Sequence, residues 1–424
     1  MSASIIQSNE HCVTIQITIP FEGSMLATEE SIQSHLNEAG VLASAKALEQ
    51  YDTDGSPIEI AEHRWTSKGR QPKTYQSPYG KVPIKRHVYQ GSQGGSTLCP
   101  LEANARIIGT STPRFAKQIS HKYAEMSSGR VVEDLKENHG RVVQRAFVQT
   151  LAELVGTIAQ TQEETWHYQT PKPTETIQTV SIGMDGTCML ICDDHPREAM
   201  VGTISLYDTE GERQHTTYLA ATPEYGRATF LARMTREIEH IHHLFPTAHY
   251  QGLADGAQEN WDFLTPLTDT QVLDFYHASQ YLTTIAHSLH PRSLQKRKEW
   301  LTDHCHGLKH TVGAAKTYLG EFEAIDETKL SATKREQLQS VITYFRNHHH
   351  QMHYAEALAQ QLPIGSGVTE SGCKLMVKSR LCGPGMQWKE VGAAVVLSLR
   401  TLSYTPGRWP QFWSKINQYG FSLA

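Results

Sequence analysis

The stretch from Thr179 to Ala254 constrains the fold of this chain more than any other. Three extended apolar runs come first: Thr179–Met184 (TVSIGM), Ala199–Tyr207 and His215–Ala221, with Asp208–Gly211 as the turn between the last two. Thr229–His243 then reads as a helix, and Ala248–Ala254 (AHYQGLA) as a fourth strand. An α/β core with a mixed sheet flanked by helices is predicted. Three meandering strands, a helix and another strand is also the order of a ribonuclease H-like sheet. There the first and fourth strands are neighbours, an expectation that rests on fold analogy.

Two of these runs end on an acid. Asp185 closes the first, and Asp255 closes the fourth and opens a Gly–Ala–Gln turn into a helix. A third acid, Glu370, follows Gly365–Ser366–Gly367 in the first turn of a later helix, with Ser366 as its expected N-cap. Acids from distant segments that converge this way suit Mg²⁺, which takes hard oxygen ligands and keeps positions open for phosphate and water. Two such ions roughly 3.5–4 Å apart clamp the attacking and leaving oxygens of an in-line displacement. Without cations the carboxylates would repel one another. The layout predicts a nuclease or strand transferase acting on DNA.

Each assignment has a rival. Asp193 and Asp194 lie in the turn CDDHPRE, where Asp is simply a good turn former, and Glu259 and Asp262 lie further along the helix after Asp255. Lys374 and Lys378 follow Glu370 at four-residue steps, and the segment stays free of acids through Arg380. Either the lysines hold phosphates beside a metal-bound Glu370, or the face is a solvated Glu–Lys pair worth roughly 0.2–0.5 kcal/mol. Asp274 and His277, three apart on a helix, are read as a structural, supporting pair rather than a catalytic one. His306 with His310 and His349 with His353 have chelating spacing but no third ligand, so surface placement or DNA contact is the preferred account. Trp261 and Trp300 read as core. Trp388 adjoins the basic Gly383–Pro384–Gly385 segment and is the candidate base-stacking platform.

The net charge of −5 does not advertise a nucleic-acid partner, but the distribution does. From Arg64 to Gln90 there are seven Lys or Arg and no acid, with Trp65, Tyr75, Tyr79 and Tyr89 interleaved. Lys73–Gln90 reads as a basic β-ribbon around Ser77–Gly80, offering Lys81, Lys85 and Arg86 to a phosphate backbone. Residues 113–160 read as three helices. Phe115, Ile119 and Tyr123 line the first, Val131, Val132 and Leu135 the second. After the Asn138–Gly140 turn, a third helix is predicted with Val142, Val143, Ala146 and Phe147 on one side and Arg141, Gln144 and Arg145 on the other. Helix, short glycine-containing turn, helix is the helix-turn-helix signature, and the polar start of the last helix is where base contacts arise. An ordinary helical bundle remains the alternative.

The remaining organisation follows from pattern. Val13–Ile19 alternates as a strand, and Glu29–Tyr51 reads as one or two helices broken near Gly40. Residues 1–60 form an N-terminal strand and helix region, 61–112 the basic ribbon, and 113–170 the helix-turn-helix with its linker. The sheet-bearing core occupies 171–271, a helical, His-rich insertion 272–360, and the Glu370 helix with closing helices 361–424. At 424 residues with 39% apolar residues the chain can build two or three real cores. Its seven Cys form no CxxC pair, which argues against a disulfide framework or a Cys-rich zinc module. No stretch approaches the roughly 18 apolar residues of a membrane span. The start, MSASIIQSNEHC, lacks a basic segment followed by an apolar one, so a cytoplasmic protein is expected.

The stretches TPRFAKQISHKYAEM, MDGT, REAMVGTISLYD, EYGRATF, GLADGA, DFYHASQYL, HCHGLKH, LPIGSGVTESGCK, VKSRLCGPGMQW and GRWPQFW resemble DDE transposases of bacterial insertion sequences of the ISKra type, relatives of the Mutator-like group. GSGVTESGCK and the DFYHA segment are the most specific. The likeness spans nearly the whole chain from about residue 70. It implies a ribonuclease H-like catalytic domain with a helical insertion before the catalytic Glu, and it carries the catalytic and metal-ligand roles onto Asp185, Asp255 and Glu370. It further implies two Mg²⁺, with Mn²⁺ as a substitute, terminal inverted repeats and target DNA as substrates, and a homodimer or higher assembly on DNA. A bacterial, nucleoid-associated location follows. A DNA-binding, repressor-like derivative without catalysis and a structure-specific nuclease are the alternatives.

Overall fold

The computed structural model describes residues 3–60, 63–91, 94–163, 165–224 and 227–421. Within the EYGRATF stretch, Tyr225 and Gly226 lie outside the described residues. The chain divides into one unit of Met1–Gln169, Ala394–Ser403 and Gly407–Ala424, and a second of Thr170–Ala393 with Tyr404–Pro406.

In the first unit, β1 (Ala3–Ser8) and β2 (Val13–Ile17) pair antiparallel. Helix α1 (Met25–Glu49) starts at Ser24, whose hydroxyl accepts from the Ala27 amide. It runs unbroken through Gly40. A Cβ there would meet the Tyr79 ring at 2.3 Å, so this glycine admits a tyrosine of the ribbon turn instead of breaking the helix. Strands β3 (Ile58–Ile60), β4 (His63–Gln76), β5 (Lys81–Gly91) and β6 (Thr97–Leu98) form an antiparallel sheet in that order. Pro83 faces Thr74 of β4, while β6 pairs only with Tyr89 and Gln90, so the missing amide of Pro83 breaks no inner ladder.

After α2 (Pro100–Asn104) come α3 (Pro113–Glu125), α4 (Ser128–His139) and α5 (Arg145–Gln162). Phe115, Ile119, Tyr123, Val131 and Leu135 are buried at the predicted spacing. Ser127 caps α4, and Gly140 ends it at φ 61°, a left-handed stop. The third helix begins four residues later than the sequence predicts. Arg141 is drawn inward: its Nε donates to Ser77 O at 3.1 Å, its Nη2 to Gln76 Oε1 at 3.0 Å, and its guanidinium lies over Phe115. That anchor takes Arg141–Val143 out of any helix and leaves Val142 72% exposed.

The second unit is built on β7 (Ile177–Leu190), β8 (Pro196–Asp208), β9 (Arg213–Ala221), α6 (Ala228–Leu244), β10 (His249–Ala254), α7 (Gln258–Leu264) and β11 (Thr270–Leu273). The sheet order is β11-β10-β7-β8-β9. β7, β8 and β9 are antiparallel, whereas β10 runs parallel to β7 and β11 parallel to β10. Val180, Ile182, Ile204, Leu206 and Leu253 are all buried, which is why these strands read as continuous apolar runs. Asp185 is not the end of its strand: β7 continues to Leu190 as a hairpin with β8, and what stops at Gly183 is its pairing with β10.

Helices α8 (Phe275–Leu289), α9 (Leu294–His310), α10 (Ala314–Glu323), α11 (Ala332–His348) and α12 (Tyr354–Ala359) follow. Their buried Leu282, Leu308, Phe322 and Phe345 extend the core that begins at the sheet. α13 (Gly367–Cys373) runs through a π-helical turn, Lys374–Lys378, into α14 (Ser379–Leu381). α15 (Glu390–Tyr404) and α16 (Arg408–Tyr419) close the chain, and α16 buries Phe412, Trp413 and Ile416 in the first unit. Among the described residues no helix is long and apolar enough to cross a membrane.

Candidate metal centre

The parallel ladder of β7 and β10 sets the first two acids. Gly183 opposite Leu253 is its last pair, and Asp185 and Asp255 each stand two residues beyond it. Asp185, still on β7, and Asp255, one residue past the end of β10, stand at one rim of the sheet. Burial pushes the Asp185 carboxyl above its ordinary range and the Asp255 charge adds to the rise, while the Gly186 amide, donating to Oδ1 at 2.7 Å, opposes it. Asp255 Oδ1 accepts from the Ala257 amide (3.2 Å) and from Asn260 Nδ2 (3.3 Å), and the Tyr344 hydroxyl donates to the Asp255 carbonyl at 3.3 Å.

Small residues let the helix bearing the third acid approach. A Cβ at Gly183 would lie 2.2 Å from Thr369 Oγ1, so only glycine in β7 leaves room for α13. Thr369 and Thr203 of β8 share a hydrogen bond of 2.8 Å, and Gly372 faces Val201 and Thr203. One turn beyond Glu370, Cys373 Sγ donates to Asp185 Oδ2 at 3.6 Å. Burial pushes the Cys373 thiol far up, and the Asp185 charge pushes the same way. Ser366 occupies the N-cap position of α13, but its hydroxyl donates to Glu370 Oε1 at 3.2 Å rather than accepting a backbone amide as expected from sequence.

Asp274, directly after β11, caps α8 and is fully buried. Its Oδ2 accepts from the His277 amide (3.0 Å) and from His277 Nδ1 (2.6 Å), and its Oδ1 from the Ser366 amide (2.8 Å). Burial works to raise Asp274, but these donors overcome it and hold the carboxyl below its usual range. The same Asp274 bond raises His277 against its burial, with Asp255 and Glu370 adding charge. Ligand atoms of Asp274, His277 and Glu370 lie within 4.8 Å of one another, a group that could hold a metal ion. Both Asp274 oxygens are already engaged. The carboxylate therefore orients the imidazole, in the manner of the outer carboxylates that fix metal-bound histidines, and leaves Nε2 and Glu370 as the available donors. Sequence spacing identified the pair but not its proximity to Glu370.

The other predicted residues divide. Lys374 and Lys378 are exposed on the helix that carries Glu370. Arg380 is only 4% exposed, with its guanidinium over the Trp388 ring at 5.1 Å. Trp388 is half-buried: its Nε1 donates to Leu381 O, its amide to Leu190 O, and its carbonyl accepts from Cys192. Arg380 and Trp388 thus brace the tip of the β7–β8 hairpin instead of presenting free faces to a base. In the first unit, Lys81 and Lys85 are exposed along β5, whereas strand alternation turns Arg86 inward, where it donates to the buried Tyr75 hydroxyl. Gln144 and Arg145 are exposed, Arg145 donating to Ser128 Oγ, and Arg141 is buried. The His306 and His310 rings lie 4.7 Å apart on α9, but among the described residues no third ligand joins either histidine pair.

Sequence reasoning missed Cys373, Thr369, Asn260 and Tyr344. Cys373 was within reach, since it lies three residues from Glu370 on the same helix. Nothing in the spacing marks the rest. Compared with known protein families and with curated proteins, the chain matches none.

Proposed function

We propose that the protein is a metal-dependent DNA transposase that cuts the ends of its own element and joins the 3′-OH ends to target DNA. The observation that carries this reading is the meeting of Asp185 and Asp255 at one sheet rim with the helix of Glu370 bound against Asp185 through Cys373. The strand order supports a ribonuclease H-like core, and the five helices between β11 and α13 support an inserted helical subdomain. The donor set fits the hard divalent cations of such an enzyme: Asp185 and Asp255 stand at one rim, Glu370 lies with His277 and Asp274 in a group whose ligand atoms are within 4.8 Å of one another, and the Asp185 charge that burial disfavours would be neutralised by a cation.

Asp185, Asp255 and Glu370 would hold two Mg²⁺ or Mn²⁺, with His277 beside them. Bound there, the ions would supply charge stabilisation to the attacking and leaving oxygens of a phosphodiester. The chain's own part is to hold Asp185 and Asp255 at the rim, keep Glu370 beside His277, orient His277 through Asp274, and offer Lys374 and Lys378 to nearby phosphates. Exposed Lys81, Lys85, Gln144 and Arg145 serve as the DNA-recognition surface of the first unit, for terminal inverted repeats. Pairing two ends requires at least a homodimer on DNA, in a bacterial cytoplasm at the nucleoid.

The test is cleavage and joining of labelled DNA ends in Mg²⁺, comparing inverted-repeat ends with branched junctions and random duplex. Repeat-specific cleavage and strand joining, lost in Asp255→Asn, is the expected result. Junction-specific cutting without joining would make the protein a structure-specific nuclease. Binding of repeats with no cutting in Mg²⁺ or Mn²⁺ would make it a repressor-like derivative.

A further inference from the structure

At the sheet rim, Arg227 adopts the left-handed backbone conformation, φ 54°, at the N-cap position of α6. That conformation is costly for a non-glycine residue and persists only where surrounding contacts impose it. Here the contacts are specific. Arg227 Nη1 donates to Asn260 Oδ1 at 3.3 Å, and Nη2 reaches Glu198 Oε2 at 2.9 Å and Glu259 Oε2 at 3.4 Å. Glu198 in turn lies over Gly186, the residue after Asp185: a Cβ on Gly186 would fall 2.0 Å from the Glu198 carboxyl carbon. Asn260 is 4% exposed and spends its Nδ2 on Asp255 Oδ1. One guanidinium therefore ties the chain beside Asp185 to the amide that holds Asp255.

We propose that Arg227 and Asn260 are positioning residues for the metal centre, a role that rests on the reading of Asp255 as a metal ligand. An amide has two ends, and which end faces Asp255 decides whether that carboxylate meets a donor or an acceptor. Arg227 offers only donors, so it fixes the Asn260 oxygen toward itself and the Nδ2 toward Asp255. With Oδ1 accepting from Nδ2 and from the Ala257 amide, Oδ2 is the oxygen that would be offered to a cation. Glu198 and Glu259 hold the other guanidinium nitrogen, Nη2. Supporting bonds of this kind govern metal affinity by about 10–100-fold when removed.

The experiment is Mn²⁺ titration of the full chain without DNA, by electron paramagnetic resonance, on wild type, Asp255→Asn, Asn260→Asp, Asn260→Ala, Arg227→Ala and Arg227→Lys. Thermal melts of each variant verify folding. Asn260→Ala removes the donor to Asp255 and is expected to weaken Mn²⁺ by about 10-fold or more, whereas Asn260→Asp swaps that donor for a carboxylate that itself attracts cations and is expected to bind Mn²⁺ more tightly than Asn260→Ala. Arg227→Ala is expected to weaken it by a similar factor, and Arg227→Lys by less, since one ammonium replaces part of the fork. In DNA cleavage, the variants are expected to need more Mn²⁺ yet approach the wild-type rate at saturation, a split that a collapsed structure would not give. Folded Asn260→Ala and Arg227→Ala proteins with wild-type Mn²⁺ affinity, while Asp255→Asn loses it, would overturn the clamp alone. A wild type whose Mn²⁺ binding is indifferent to Asp255→Asn would overturn the underlying reading of the site instead.

Discussion

Cys373 Sγ rests 3.6 Å from Asp185 Oδ2, and this contact joins the helix of Glu370 to the strand of the first acid. Burial and the adjacent carboxylate hold the thiol in its protonated form. A thiol without thiolate character is a poor nucleophile. Under native conditions at pH 8, alkylation by iodoacetamide is expected to modify the exposed Cys12 and Cys188 and to spare Cys373. Cys373 should become reactive only on denaturation, and peptide mass mapping reads this directly. Rapid native modification of Cys373 would mean that α13 does not stay seated against β7.

Asp185 carries an unfavourable charge in the folded chain, because burial raises its carboxyl and Asp255 adds repulsion. Its folded value lies above the unfolded one, so the associated stability is present below the unfolded value and is lost as pH rises through the folded value. Asp185→Asn is neutral at every pH and escapes that loss. In EDTA at pH 7.5 the variant is expected to melt about 2 °C higher than wild type, the shift that roughly 0.5–1 kcal/mol produces in a domain of this size. The advantage should vanish toward pH 3, where wild-type Asp185 is itself protonated. Mn²⁺ should raise the melting temperature of the wild type and leave the variant nearly unmoved. A variant that melts lower than wild type in EDTA would contradict this account.

The seat of α13 has a steric test. Gly183→Ala places a methyl 2.2 Å from Thr369 Oγ1, and overpacking of this kind costs about 1–3 kcal/mol. Thr369→Ala alone loses the Thr203 hydrogen bond, about 1 kcal/mol. In the double variant the nearest neighbours of the new methyl become Thr203 Oγ1 at 3.2 Å and the Leu253 carbonyl at 3.4 Å, which need give only slightly. Urea unfolding should therefore show the double variant more stable than the sum of the two single losses. Strict additivity would place the Thr369 hydroxyl away from Gly183.

The same geometry explains what the sequence could and could not disclose. The apolar runs of β7, β8 and β10 were readable because both faces of those strands are buried, and Asp185 and Asp255 stood out as the acids that interrupt them. β11 was invisible because four residues carry too little pattern. The start of α5 was misread because Val142 and Val143 fit the helical period of Phe147, while the bond that removes them from the helix reaches back 64 positions from Arg141 to Ser77. Charge was misleading in the same way. Arg86, Arg141 and Arg380 look identical in sequence to the exposed Lys81 and Lys85, yet each is turned inward to a partner specified by tertiary structure. Arg227 lies within the EYGRATF stretch, but neither spacing nor periodicity singles it out, since its proposed role comes from a left-handed backbone and from partners on β8 and α7.

The Asp274–His277 pair sets a stability window in pH. Asp274 is held below its ordinary value, so its contribution is present above the unfolded carboxyl value and is lost as pH falls through the folded one. His277 is raised, chiefly by the Asp274 bond, so its contribution is full below the unfolded imidazole value near 6.5 and is lost as pH rises through the folded one. The charged pair therefore stabilises between those two folded values. In EDTA, His277→Gln is expected to melt below wild type by the equivalent of about 1 kcal/mol near pH 6, a modest figure because the imidazole is 35% exposed and solvent screens it. The deficit should narrow steadily toward pH 9, as wild-type His277 gives up its proton. A deficit that stays constant from pH 5.5 to 9 would show that the imidazole contributes shape alone, and that Asp274 holds α8 and the Ser366 amide without any help from charge.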